Sequence, residues 1–224
     1  MSTPKPQDIP LYNLSEISRW VGVPPATIRS WAFGRKYWAD GREKLFQPLF
    51  KIADPTGRRL SFSNIAEAHI LAATRRNEIA MADVRAAIDM LQADDRHADH
   101  PLLTGKFFRN GKRLFVEFLN EKIAASKPIQ GQRPLGDLLD AYLERIVRDD
   151  RDHPVRLFPM PKNDNRSVML DFTIAGGQPV VVGTGILVEF LRARKNSGES
   201  IKSIAEDYGL SAHRVAEAIN YLAA

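Results

Sequence analysis

Cysteine is absent from the sequence, which excludes disulfides, thiolate metal sites and cysteine nucleophiles. A reducing, cytoplasmic setting suits such a chain. Long apolar runs are missing too. Nothing approaches the roughly 18 residues a membrane helix needs, so no membrane partner is expected. The segment from Met1 to Pro10 is polar and proline-rich, unlike a secretory signal, and reads as a disordered arm over residues 1–10. No Gly-x-Ser-x-Gly nucleophile motif occurs. The glycine-rich stretch 176–185 lacks the Gly-Lys-Ser/Thr ending that holds a nucleotide. The sequence points to no catalytic residue, no metal and no cofactor.

What is present is a charge asymmetry. The chain carries a net charge of +5. Residues 1–62 hold ten Lys/Arg against five Asp/Glu, whereas residues 63–166 hold seventeen against sixteen and residues 167–224 five against six. The excess therefore sits in the first quarter, where a polyanion is expected to dock.

A helical pattern runs from Leu14 to about Arg35 and breaks once, at Gly22 to Pro25. Ser15 can cap the first helix, and Gly22 can take the left-handed conformation that ends it. Pro24 and Pro25 fit only outside a helix or at its first position. Ser18, Gly22 and Ile28 have helix-turn-helix spacing: a small residue at the helix crossing, a turn glycine, and an apolar residue dropping into the core. The second helix then offers Thr27, Arg29 and Ser30 on its outer face, with Arg35 and Lys36 beyond it. A major groove admits one such helix, and Arg pairs bidentately with guanine.

Phe46 to Ile52 and Arg58 to Phe62, around Asp54-Pro55-Thr56-Gly57, read as a hairpin. After a helix-turn-helix such a hairpin is a wing, and Arg58 and Arg59 would carry charge to phosphates. Helices follow from Ser61 or Ser63 to about Arg76, and from Met81 to Leu91. Phe107 to Leu119 reads as a hairpin around Asn110-Gly111, Leu135 to Val147 as an amphipathic helix. Short strands are expected at Val155 to Pro161 and Val168 to Phe172, then a glycine-rich link over Gly176 to Gly185. Three helices close the chain: Ile186 to about Asn196, Ile201 to Tyr208, and Ala212 to Leu222. Ala205, Gly209 and Val215 repeat the spacing of Ser18, Gly22 and Ile28. Ser200 and Ser211 can cap this second pair, whose last helix offers a mixed face of His213, Arg214, Glu217 and Asn220, better suited to protein contact or dimerisation than to base reading.

Three clusters invite a catalytic or ligand reading. Asp94 to His100 could bind a cation, but adjacent residues seldom converge on one ion. Asp149, Asp150, Asp152 and His153 could form a nuclease site, but Arg148 and Arg151 would neutralise it, and a solvated helix end is preferred. Trp31, Phe33, Tyr37 and Trp38 beside Arg35 and Lys36 could stack on single-stranded bases. The preferred reading is a core between helix-turn-helix and wing. His69 reads as packing or surface.

The run from Leu14 to Trp31, then Arg58-Arg59-Leu60-Ser61-Phe62, then Met81-Ala82-Asp83-Val84 resembles the MerR-type winged helix over about eighty residues. The hairpin region is longer than in that family, and no long coiled-coil helix follows. The C-terminal runs Gly177-Gln178-Pro179, Gly183-Thr184-Gly185 and Asp207-Tyr208-Gly209-Leu210 resemble the small bacterial DUF 433 domain. The combination is similar to VapB-type antitoxins. That resemblance implies an antitoxin of a type II toxin–antitoxin system, bound to double-stranded operator DNA as a homodimer and neutralising a PIN-like ribonuclease toxin. The alternatives are a stand-alone MerR-like regulator and a DNA-processing enzyme built on the Asp149 cluster.

The expected fold is mainly α with small β-hairpins. An N-terminal winged helix-turn-helix occupies 11–95, a middle α+β linker or dimerisation segment 96–165, and a C-terminal helix-turn-helix-like domain 166–224.

Overall fold

The computed structural model describes residues 5–76, 79–94, 99–104, 135–159 and 166–221. The expected hairpin around Asn110-Gly111 and residues 95–98 of the Asp94–His100 cluster lie outside them.

The described residues are mainly helical with two small antiparallel sheets. Helix α1 (Leu14–Val21) begins at Asn13, not Ser15. The Asn13 side chain accepts from the Glu16 backbone N–H at 2.9 Å, and the Glu16 carboxylate accepts from the Asn13 N–H at 2.8 Å. This reciprocal pair satisfies donors that a helix start otherwise leaves open. Gly22 ends α1 in the left-handed region at φ 66°. Helix α2 (Pro25–Phe33) follows with Pro25 in its first turn.

The strands β1 (Arg35–Ala39) and β2 (Arg42–Phe46) come next, paired from Arg35 opposite Phe46 to Ala39 opposite Arg42. They close through Asp40 and Gly41, both at positive φ (54° and 70°), as a tight hairpin turn of matching twist requires. The hairpin therefore stands at 35–46 and not around 54–57. Phe46 to Ile52 forms no strand beyond Phe46. Leu49 and Phe50 are buried, and their N–H groups donate to the Trp31 carbonyl. Around Asp54-Pro55-Thr56-Gly57 a single Asp54–Arg59 bridge remains.

Helix α3 (Phe62–Arg76) runs through the core, with His69 and Glu67 among its buried residues. Ser61 starts it: the Asn64 N–H donates to the Ser61 hydroxyl, and the Asn64 side chain accepts from the Ser61 N–H. Helix α4 (Met81–Asp94) follows. Pro6–Asp8, expected within a disordered arm, forms a 3-10 turn packed on α3. Gln7 is buried and Asp8 accepts from the Ser63 hydroxyl.

Helix α5 (Leu135–Leu143) packs on α3, where His69 Nε2 donates to the Tyr142 carbonyl at 3.0 Å. Burial holds His69 neutral, with its pKa down at about 3. The chain then forms a four-stranded antiparallel meander of β3 (Ile146–Arg148), β4 (Pro154–Leu157), β5 (Val168–Asp171) and β6 (Pro179–Val181). Strand β6 lies inside the stretch read as a glycine-rich link. The sheet takes strands from both sides of residue 165.

The end is helical: α6 (Val188–Asn196), α7 (Ile201–Tyr208) and α8 (Ala212–Tyr221). The first and last parts of the chain touch. The Tyr12 hydroxyl donates to the Gly176 carbonyl at 2.8 Å, and the Tyr221 hydroxyl to the Trp20 carbonyl at 2.5 Å. The Phe62 and Phe172 rings meet at 5.9 Å.

Candidate nucleic-acid interface

The turn between α1 and α2 is fixed by two hydrogen bonds and one backbone conformation. The Ser18 hydroxyl donates to the Val23 carbonyl at 2.6 Å, and the Val23 N–H donates back to the Ser18 carbonyl at 3.1 Å. Gly22 supplies the backbone conformation that closes the bond pair. Ile28, Trp31 and Ala32 then face the core. Trp31 Nε1 donates to Met81 Sδ at 3.3 Å, tying α2 to the start of α4.

With that side sunk, α2 turns Pro25, Ala26 and Arg29 to solvent, with Thr27 and Ser30 half-buried beside them. Among the described residues Arg29 makes no ion pair, so its guanidinium is free to meet a ligand. Arg35 and Lys36 continue from α2 into β1, separated from Phe33 only by Gly34. Arg35 is exposed; Lys36 is exposed but pairs with Glu43 at 3.0 Å. Of the residues read as contacts, Arg29, Arg35 and Lys36 are thus exposed and Thr27 and Ser30 half-buried, with Arg35 and Lys36 on opposite faces of the ribbon.

Arg58 and Arg59 lie elsewhere. Their turn is stapled to the start of α1, because Leu60 pairs with Tyr12. Arg58 is exposed at φ 52°. Arg59 Nη1 donates to the Leu11 carbonyl at 2.9 Å. The hairpin that follows α2 directly is β1–β2, and its cations Arg42 and Lys44 were missed in the sequence. The signal was present: Asp40-Gly41 between Arg-Lys-Tyr-Trp-Ala and Arg-Glu-Lys-Leu-Phe. Tyr37 and Trp38 are exposed on this hairpin, not packed between it and the helices; only Trp31 of the aromatic group is fully buried.

The described residues of the other two clusters make the following contacts. Asp149 accepts from the Arg151 and His153 N–H groups and closes the β3–β4 turn. The backbone bond from His153 leads in holding its carboxyl below the ordinary range. His100 lies between two carboxylates, 2.9 Å from Glu67 and 3.4 Å from Asp8. Burial pulls its pKa down, but Glu67 and Asp8 outweigh this and raise it to about 10. The imidazolium is therefore structural.

The C-terminal pair α7–α8 repeats the turn of the first pair in its glycine and its backbone bond, but without the Ser18 hydroxyl bond, since Ala205 stands in that place. Gly209 sits at φ 62°, the Leu210 N–H donates to the Ala205 carbonyl at 2.9 Å, and Val215 is fully buried like Ile28. Ser200 and Ser211 accept from the Ser203 and Arg214 N–H groups. On α8, His213 and Asn220 are exposed, but the Arg214 guanidinium is turned back onto the Val182 carbonyl.

The α1–α2 pair has helix-turn-helix geometry, with one side of α2 left exposed. Residues 10–88 match the family described as "Putative DNA-binding HTH domain" and residues 168–222 the family described as "Protein of unknown function (DUF433)". The chain is 29% identical over 231 residues to the "Putative antitoxin VapB45" of Mycobacterium tuberculosis, across 97% of this chain and 95% of that protein. It is 25% identical over 236 residues to "Uncharacterized protein Rv2308" of the same organism, across 99% and 93%. The crystal structure of Rv2018 from Mycobacterium tuberculosis superposes with a TM-score of 0.70 at 29% identity, covering 95% of this chain and 98% of that one.

Proposed function

We propose that the protein is a non-enzymatic antitoxin of a type II toxin–antitoxin system. It binds the operator of its own genes as a homodimer in the cytoplasm and neutralises a PIN-like ribonuclease toxin. The observation that carries the DNA reading is the exposed Arg29 on α2, without an ion pair among the described residues and followed in the chain by the exposed Arg35 of a cationic hairpin. The antitoxin reading is supported by the similarity to VapB45 over nearly the whole chain. Thr27 and Ser30 flank Arg29 as phosphate or base contacts; Arg58 and Arg59 are second-line phosphate contacts from the neighbouring turn. Among the described residues no helix is long and apolar enough to cross a membrane.

A mobility shift on the duplex upstream of its own gene tests the DNA reading. Arg29→Ala is expected to weaken specific binding by about 1–3 kcal/mol if it pairs with a base. Equal losses on operator and random duplex would make it a phosphate contact instead. Co-expression with the product of the adjacent gene tests the antitoxin reading. Failure to co-purify with it or relieve its toxicity would leave a stand-alone regulator.

A further inference from the structure

The β1–β2 hairpin presents an aromatic side chain where a water-soluble protein has no structural use for one. Trp38 is 76% exposed, whereas Trp20 and Trp31 are 3% and 1% exposed. Trp38 shares its face of the ribbon with Leu45 and Lys36, since Lys36 stands opposite Leu45 and Trp38 opposite Glu43. Tyr37 projects from the other face, with Arg35, Lys44 and Arg42. Both acidic residues of the hairpin are engaged internally, Glu43 by Lys36 and Asp40 by Lys44. Arg35 and Arg42 are left as its net charge.

The base of the ribbon is held while its tip is free. The Arg85 guanidinium lies 5.0 Å over the Phe46 ring and donates to the Pro48 carbonyl at 2.8 Å. A Cβ on Gly34 would come within 2.3 Å of the Phe46 carbonyl oxygen, so the two ends of the hairpin meet closely there. The two-residue turn keeps the tip narrow. The ribbon is thus a stiff arm leaving the C-terminal end of α2, with a flat indole near its tip beside Lys36 and with Arg35 and Arg42 on the opposite face.

That combination selects its partner. A second copy would bring the same positive charge against itself. A polyanion that also offers flat π surfaces satisfies both features, and duplex DNA on α2 lies one glycine away from the arm. Apolar wedges on DNA-binding proteins enter between base steps and unstack them, at a bend of roughly 20–90°. We propose that Trp38 is such a wedge: it inserts at a base step of the duplex held by α2, with Lys36 of the same face beside the adjacent phosphate and Arg35 and Arg42 adding positive potential from the other face. This rests on the DNA-binding reading above and adds a deformation of the duplex to it.

The test uses the full chain and two duplexes, the region upstream of its own gene and a scrambled sequence of equal length. Acrylamide quenching reports Trp38 selectively, because the other tryptophans are buried. Addition of the upstream duplex is expected to shield it. Trp38→Ala is expected to weaken binding roughly ten- to a hundred-fold, the range of an aromatic–base stack, and to remove the bend seen by circular-permutation mobility. Trp38→Phe keeps a stacking ring and is expected to stay within about three-fold of the wild type. Both variants change an exposed side chain, and thermal melting checks that they fold.

A shifted duplex with Trp38→Ala binding and bending like the wild type overturns the wedge and leaves the DNA reading intact. No shift of either duplex, even at 50 mM salt, overturns both. Shielding of Trp38 that grows with protein concentration in the absence of DNA assigns the tip to a contact between copies and also overturns it.

Discussion

A left-handed glycine closes the first helix of each helix pair, Gly22 after α1 and Gly209 after α7. A Cβ on Gly209 would meet no atom within 4 Å, so Gly209→Ala isolates the backbone cost, about 1–2 kcal/mol. Gly177 is a different case. It also has positive φ, 73°, but its Cβ would come within 2.1 Å of the Tyr12 hydroxyl, which itself bonds to Gly176. Gly177→Ala is expected to cost roughly 1 kcal/mol more, because the hydrogen bond is displaced as well. Urea denaturation of both variants, with and without Tyr12→Phe, separates the contributions. Removing the hydroxyl is expected to shrink the Gly177→Ala penalty toward that of Gly209→Ala, leaving the ring carbon at 3.2 Å as the remaining tight contact. An undiminished penalty would place the clash elsewhere.

Among the elements, the β1–β2 arm and the 54–59 turn divide the cations that the sequence offers a duplex. Salt dependence distinguishes them. Each lost phosphate contact lowers the slope of log K against log salt by about 0.9. Arg35→Ala with Arg42→Ala is expected to lower it by nearly 2. Arg59→Ala is expected to change it less, since that guanidinium already bonds the Leu11 carbonyl. Equal effects from both would make the turn as much a wing as the arm. The helix pairs were readable in advance because Ser18, Gly22 and Ile28, and again Ala205, Gly209 and Val215, encode a local geometry at fixed spacing. Arg29 came with them, as did Thr27, Ser30, Arg35 and Lys36. The arm itself was hidden by competing signals. The apolar run 46–52 ahead of a proline turn looks like a strand, yet Leu49 and Phe50 are apolar because they pack beneath α2. With the hairpin displaced, Trp38, Arg42 and Lys44 had no assigned place. Strand β6 was obscured for a related reason: flanking glycines advertise a link, while Pro179 to Val181 are buried by pairing with β5, a partner no local pattern reveals.

At the scale of the whole molecule, His100 joins the N-terminal turn to α3 from a distant point in the chain, through Asp8 and Glu67. Its raised pKa means that its stabilisation is complete below about pH 6.5 and fades as pH climbs toward 10. Asp8 works in the opposite direction. Burial raises its pKa, but bonds from His100 and Ser63 more than offset this. Its contribution is therefore present above the ordinary carboxylate range and lost on acidification. His100→Ala is expected to cost about 3–5 kcal/mol near pH 6, because Glu67 is left buried without a counter-charge, holding only the bond from the Asn64 amide. The gap from wild type, followed by urea denaturation at several pH values, is expected to narrow between pH 7 and 10. A constant gap would reduce His100 to a packing residue. The bond from Tyr221 to the Trp20 carbonyl has a wider implication. The last helix is moored to the one that supports α2, so the two ends of the chain share a fastening, and loosening the tail at Tyr221 would take a support from the first helix pair.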